Sequence, residues 1–254
     1  MSDLQGKRVL ITGGGKGIGR GIALAFAERG AKVAIGCNAN AGMAAETLKA
    51  LQAKTDAVLI QADVGTPEGC EKLVRETVSA FGGIDIFVNN AAIQTHHSFL
   101  ESSEAILKGT LNVNLRAGYL LLGLCHPYLK ESGEGRVIFV SSVHGKRATD
   151  FDVGYAVSKG GMEMLIRETA VQFAKDHITV NIIAPGAVQI ENKTGNPRPM
   201  TRKHTPGQRF FPLYPLGRFG LPSDVAEMAC YLAGKEAEFI SGTTIRLDGC
   251  AMLL

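Results

Sequence analysis

Seven short apolar runs recur along the chain, separated by longer amphipathic stretches. They are Arg8–Ile11, Lys32–Ile35, Ala57–Ile60, Ile84–Val88, Arg136–Val140, Thr179–Ile183 and Thr243–Leu247. Their apolar character is continuous rather than alternating. That marks strands buried on both faces, and so a parallel sheet. The stretches between them predict helices over Ile18–Arg29, Ala41–Lys54, Pro67–Phe81, Glu101–Glu131, Val153–Lys175 and Pro222–Ala233. Pro67 and Pro222, preceded by Thr66 and Leu221, suit first helical positions. Strand–helix alternation throughout predicts an α/β protein, a doubly wound sheet with helices on both faces.

Composition narrows the function classes. The 254 residues fit one large α/β domain or two small ones, and no repeat or linker divides them. The net charge of +3 and the lack of a basic tract argue against nucleic acid. Cys37, Cys70, Cys125, Cys230 and Cys250 are scattered, with no zinc-type spacing. Reduced thiols in a cytoplasmic protein are expected, without a metal. The polar start, Met1 to Gly6, does not read as a signal peptide. The apolar runs are too short and interrupted to span a bilayer.

Between the first strand and first helix lies Thr12-Gly13-Gly14-Gly15-Lys16-Gly17-Ile18-Gly19. It is not a P-loop, because Gly17 follows Lys16, and Ile18 stands where G-x-G-x-x-G has its third glycine. Small residues there let the backbone approach a pyrophosphate, and the helix N-terminus supplies N–H donors. Further along, Tyr155 and Lys159 are four residues apart, so they share a helix face. A phenol with a pKa near ~10 gains acid–base use when a fixed ammonium favours its phenolate. Ser142 follows the fifth apolar run. Taken singly, Ser142 could cap a helix, Asn114 could cap or kink a buried helix, and Asp63 could close a turn before Pro67.

The ordered set resembles the short-chain dehydrogenase/reductase family over almost the whole chain. It comprises Thr12–Gly19, Asp63-Val64, Asn89-Asn90-Ala91-Ala92, Asn114, Ser142, Tyr155 with Lys159, and Pro185-Gly186. The resemblance implies a Rossmann-type fold, with residues 1–254 forming one dinucleotide-binding and catalytic domain. It implies an oxidoreductase that interconverts a secondary alcohol and a ketone by hydride transfer. Tyr155 would be the acid/base, Ser142 would hold the substrate oxygen, and Lys159 would lower the Tyr155 pKa and bind the nicotinamide ribose. Asn114 would anchor a proton relay to Lys159. Cofactor contacts are expected from Thr12, Gly13, Gly15, Lys16, Gly17, Ile18, Gly19, Asn38, Asp63, Val64, Asn90, Ala91, Tyr155, Lys159, Pro185, Gly186 and Val188. A homotetramer is implied by the resemblance alone, and the apolar tail Cys250–Leu254 could pack at a subunit contact.

The chain departs from the family pattern in three places. Ala92 replaces a frequent glycine, Ile190 replaces a frequent threonine, and Cys250 follows Asp248-Gly249. NAD preference usually rests on an acid after the second strand. Here the segment is Ile35-Gly36-Cys37-Asn38-Ala39-Asn40, and Lys16 is near enough to attract a 2′-phosphate. NADP(H) is therefore favoured over NAD(H); a simply solvated Lys16 is the competing reading.

Residues 187–218 hold five prolines and directly follow a strand end, which suggests a substrate lid. A surface insertion or subunit contact is the alternative. Gln94, His96, Ser142, His144, Tyr155 and Gln189 are the expected substrate contacts. With His97, Lys146, Arg147, Glu191 and Asn192 they make a polar lining. Bases at Lys193, Arg198, Arg202, Lys203, Arg209 and Arg218 make the lid cationic. A sugar, polyol or sugar-acid-like small molecule is expected, by local likeness to the family's glucose dehydrogenases. The alternatives are 3-oxoacyl-carrier-protein reduction and a cofactor-binding regulatory protein.

Overall fold

Residues 3–39, 41–148, 153–190 and 215–253 are described by a computed structural model. Strands β1 (Arg8–Thr12), β2 (Lys32–Cys37), β3 (Ala57–Gln61), β4 (Ile86–Asn89), β5 (Arg136–Val140), β6 (Thr179–Pro185) and β7 (Thr244–Leu247) form one sheet. Its order is β3-β2-β1-β4-β5-β6-β7, and every pairing is parallel. The helices are α1 (Gly17–Glu28), α2 (Ala41–Gln52), α3 (Pro67–Phe81), α4 (Glu104–Leu111), α5 (Ala117–Glu131), α6 (Val153–Phe173) and α7 (Pro222–Ala233).

Successive strand side chains point to opposite faces, so each continuous run feeds two cores. Val9 and Ile11 of β1 join Ile22 and Phe26 of α1, Leu51 of α2 and Val225 of α7. Leu10 turns the other way, toward Leu73 of α3, Leu121 of α5 and Ile166 of α6. At the strands' N-terminal edge Arg8 is locked to Asp85. Its Nε and backbone N–H donate to Oδ2, each at 2.8 Å, and its terminal nitrogen lies 2.7 Å from Oδ1. The chain runs outward from β1 to β3 and then returns to β4 beside β1. That reversal opens a crevice at the carboxyl ends of β1 and β4, where open α/β sheets bind ligands.

The expected helix starts form. The Thr66 hydroxyl accepts from Gly69 N–H at the start of α3, and Pro67 opens the helix. Gly82 ends it in the left-handed region (φ 79°). One expectation fails. Glu101–Glu131 is not a single helix: Ser103 caps α4, a π-helical turn occupies Asn112–Arg116, and α5 follows. Such turns insert one residue into a helix and recur at functional sites. Among the described residues, no helix is long and apolar enough to cross a membrane.

Candidate active site

The glycine loop is held against its neighbours by backbone proximity. Gly13 has φ 64°, a conformation that costs glycine little, and a Cβ there would lie 2.9 Å from the Ala91 Cα. A side chain at Gly19 would collide with the Gly13 carbonyl. Gly14 N–H donates to Gly36 O at 3.2 Å, and Thr47 Oγ1 donates to Gly15 O at 2.9 Å. The loop is thereby fixed between the end of β2 and α2. Lys16, exposed at the N-cap of α1, makes no side-chain cap. That side chain does not occupy the first-turn amides, where a helix N-terminus favours an anion.

The residues after β4 are tied back to β1. Thr12 Oγ1 accepts from Asn90 N–H and Ala91 N–H, both at 2.9 Å, and donates to Asn89 Oδ1 at 3.4 Å. A hydroxyl so engaged has no hydrogen-bonding capacity left, so Thr12 shapes the loop. Asn90 Nδ2 donates to the carbonyls of Thr12 and Gly13, each at 3.1 Å. Asp63 is exposed, and its Oδ1 accepts from Gly65 N–H at 2.9 Å. It closes the turn before α3, while Val64 is buried. Asn38 is exposed just after β2. Beyond β6, Gly186 N–H donates to Leu247 O at 2.9 Å. Val188 bridges to Gly220, and Gln189 N–H donates to Gly220 O at 2.8 Å. Ile190 lays a methyl over Gly17, 3.5 Å from where a Cβ would stand.

Tyr155 and Lys159 occupy the buried face of α6. The Lys159 ammonium lies 5.5 Å from the Tyr155 ring centroid, and its Nζ donates to Val140 O at 3.1 Å. Burial pushes the Lys159 pKa down to about 8. Burial also raises the Tyr155 phenol above its ordinary value, and a hydrogen bond with Ser142 works the other way. The dominant influence on the phenol is thus desolvation. Ser142 Oγ also accepts from His144 N–H at 3.2 Å.

Asn114 is fully buried within the π-helical turn. Its Oδ1 accepts from Ile93 N–H at 2.8 Å, and its Nδ2 donates to Ile93 O at 2.9 Å and Ser158 Oγ at 3.1 Å. Ser158 Oγ in turn donates to Tyr155 O at 2.7 Å. Asn114 therefore joins the loop after β4 to α6 beside Lys159. The structure brings Asn114, Ser142, Tyr155 and Lys159 to the carboxyl end of the sheet.

A family model described as Enoyl-(Acyl carrier protein) reductase matches residues 13–250. Versicolorin reductase 1 of Aspergillus parasiticus is 36% identical over 266 residues, covering 99% of each chain. The chain belongs to the short-chain dehydrogenase/reductase family. Glucose 1-dehydrogenase 2 of Bacillus subtilis is 32% identical over 254 residues, covering 97% of this chain and 95% of the relative. A short-chain dehydrogenase of Burkholderia cenocepacia J2315, solved in complex with NADP, superposes with a TM-score of 0.88 at 34% identity. That match covers 98% of this chain and 99% of the other. The protein is thus a short-chain dehydrogenase/reductase enzyme with the family's Rossmann-like sheet. The loop from Gly13 to Gly19 fits a dinucleotide: glycines leave its backbone bare between β1 and α1, and the Lys16 side chain does not cap α1.

Two bases expected at the lid and pocket of this short-chain dehydrogenase/reductase are engaged elsewhere. Arg218 forms a two-pronged pair with Asp224, at 2.6 and 2.9 Å, and Asp224 also accepts from Leu221 N–H to cap α7. Arg147 donates to Ala251 O at 3.2 Å and holds the C-terminal tail. Asp248 turns that tail back by accepting from Cys250 N–H at 3.1 Å and Met252 N–H at 2.9 Å. Gln94 and His96 are exposed in the loop after β4, whereas His144 and Gln189 are half-buried. Residues 191–214, including Glu191, Asn192, Lys193, Arg198, Arg202, Lys203 and Arg209, lie outside the described residues. Among the described residues, no group of three or more His, Cys, Asp or Glu is placed to hold a metal ion.

Sequence reasoning missed the linking residues: Ser158, Ile93 and Thr12 as a stitch. Ser158 had a local signal, because it stands three residues after Tyr155 on the same helix. Ile93 contributes only backbone, which no residue type announces.

Proposed function

We propose that the enzyme interconverts a secondary alcohol and a ketone on a polar, hydroxylated small molecule, with NADP(H) as the favoured cofactor. The observation that carries this reading is the buried Tyr155, hydrogen-bonded to Ser142 and backed by the Lys159 ammonium. When bound, the nicotinamide supplies or accepts the hydride. Ser142 holds the substrate oxygen beside the phenol. Tyr155 donates its proton to that oxygen in reduction and takes one in oxidation. Lys159 stands behind the ring and stabilises the phenolate when it forms. Asn114 keeps the loop after β4 and the α6 helix in register.

A screen of sugars, sugar acids and polyols with each nicotinamide cofactor, following nicotinamide absorbance, tests the reading. Turnover that Tyr155→Phe abolishes supports it, and binding without turnover on any of them removes it. The family model's description names an acyl carrier protein, and that carrier supports a second reading, in which the ketone is the 3-oxo group of an acyl-carrier thioester. Acetoacetyl thioesters in the same screen separate the two.

Cofactor choice rests on Lys16 and Asn38. No acid directly follows β2 to repel a 2′-phosphate, and the exposed Lys16 belongs to the loop that Gly14 N–H ties to Gly36 O of β2. Lys16→Ala should weaken NADPH binding about tenfold, the scale of one charge-assisted contact. NADH binding should change little. Equal weakening of both in fluorescence titrations would remove the assignment.

The enzyme is proposed to work as a homo-oligomer, a tetramer by family resemblance. Val157, Met164 and Val171 recur at seven-residue spacing on α6 and are exposed, as is Tyr119 on α5. Apolar side chains at that spacing share one helix face. Met164→Glu with Val171→Glu should shift the mass measured by light scattering to a smaller species. An unchanged multimer would place the contact elsewhere.

A further inference from the structure

One more polar side chain continues the stripe of Tyr155 and Lys159 along α6. Glu163 stands four residues beyond Lys159, and its side chain is only 6% exposed. A buried carboxylate is costly unless paired, and an apolar residue would fill the place at less cost. Its partners are Lys146, whose Nζ is 3.4 Å from Oε2, and Arg167, one turn further along α6, at 3.3 Å.

Lys146 belongs to the tight turn that carries Ser142. Gly145 N–H donates to Ser142 O at 3.0 Å, and Lys146 N–H donates to Val143 O at 3.1 Å. This turn sits directly on α6. A Cβ on Gly145 would lie 3.1 Å from the Lys159 carbonyl and 3.2 Å from Glu163 Oε1. Ser141 Oγ donates to the same Lys159 carbonyl at 3.3 Å. The turn therefore meets the helix at Ser141, Gly145 and Lys146, all within one helical turn of Lys159.

We propose that Glu163 is a positioning residue whose ion pair with Lys146 clamps the Ser142 turn onto α6 and so fixes Ser142 against Tyr155. This rests on the dehydrogenase reading, in which Ser142 and Tyr155 together hold the substrate oxygen. The clamp acts on the orientation of Ser142 and not on the dinucleotide, whose cradle lies at the ends of β1 and β2. Arg167 remains beside the carboxylate when Lys146 is lost, so Lys146 variants do not leave a buried charge unpaired.

The test compares Lys146→Met, Glu163→Gln, their double variant and Lys146→Arg. It measures kcat, substrate KM and dinucleotide Kd on the best substrate of the screen, and amide hydrogen exchange over residues 141–147. Each single variant should lower kcat about tenfold, the scale of a small misplacement at a reacting centre. Dinucleotide Kd should stay constant and exchange in the turn should quicken. The double variant should be no worse than the poorer single, and Lys146→Arg should restore kcat. An unchanged kcat in Lys146→Met, additive losses in the double variant, or loss of dinucleotide binding in step with kcat would overturn the clamp. If the wild-type protein turns over nothing, the dehydrogenase reading falls. Exchange then decides alone: faster exchange in the two single variants supports the clamp, and unaltered exchange overturns it.

Discussion

Tyr155→Phe is expected to lower turnover by about 10³-fold, within the range ascribed to a positioned general acid or base. Only the phenolic oxygen is removed. The ring keeps its buried slot on α6 and its contact with the Lys159 ammonium at 5.5 Å, so dinucleotide affinity should be retained. Steady-state kinetics and a cofactor titration on the same preparation check both halves. A variant within tenfold of wild type would mean that another group moves the proton. The pH dependence carries a sign. Burial raises the phenol above its ordinary value, with Ser142 opposing, so the neutral, proton-donating form prevails at neutral pH. Ketone reduction should therefore run well near neutrality, and alcohol oxidation should climb toward alkaline pH.

Lys159→Met should abolish turnover and yet stabilise the fold at neutral pH. The side chain is completely enclosed, and burial brings its pKa down to about 8 from an ordinary 10.5. The unfolded chain thus holds the proton more tightly than the folded one. Keeping the charge inside costs on the order of 3 kcal/mol, as an upper bound. That cost is complete below about pH 8. It shrinks as pH rises further, because the folded form loses its proton before the unfolded form does. Methionine fills a similar volume without the charge. Melting should rise by several degrees at pH 7, with the gap narrowing by pH 10. A variant that melts lower than wild type at pH 7 would show that the bond to Val140 O outweighs the cost of burial.

Much of this architecture was legible because its signals are local. Continuous apolar runs mark all seven strands, and Thr66-Pro67 marks the start of α3. The spacing of Tyr155 and Lys159 puts both on the buried face of α6. What escaped depends on chain segments far apart. Arg147 looks like a pocket residue until Ala251 is found under it, and the Lys146–Glu163 pair needs the turn after β5 folded onto α6. The expected helix over Glu101–Glu131 hid its interruption because a π-helical turn keeps the same residue types and nearly the same apolar spacing. Arg218 reads as a free lid base from composition although Asp224 is close in sequence, because charge counting takes no account of capping.

The π-helical turn at Asn112–Arg116 makes the site sensitive to chain length as well as to residue type. A helix relieved of its one surplus residue would rewind to the ordinary pitch, and the side chains within the turn, Asn114 among them, would be re-aimed while the flanking helices keep their phase. Removing the codon of any other residue in this turn would leave Asn114, Ser142, Tyr155 and Lys159 in the gene. It would still uncouple Asn114 from Ile93 and Ser158. Insertions and deletions here, beside substitutions at Tyr155 or Lys159, are sequence changes by which such a protein could keep its sheet and lose its chemistry.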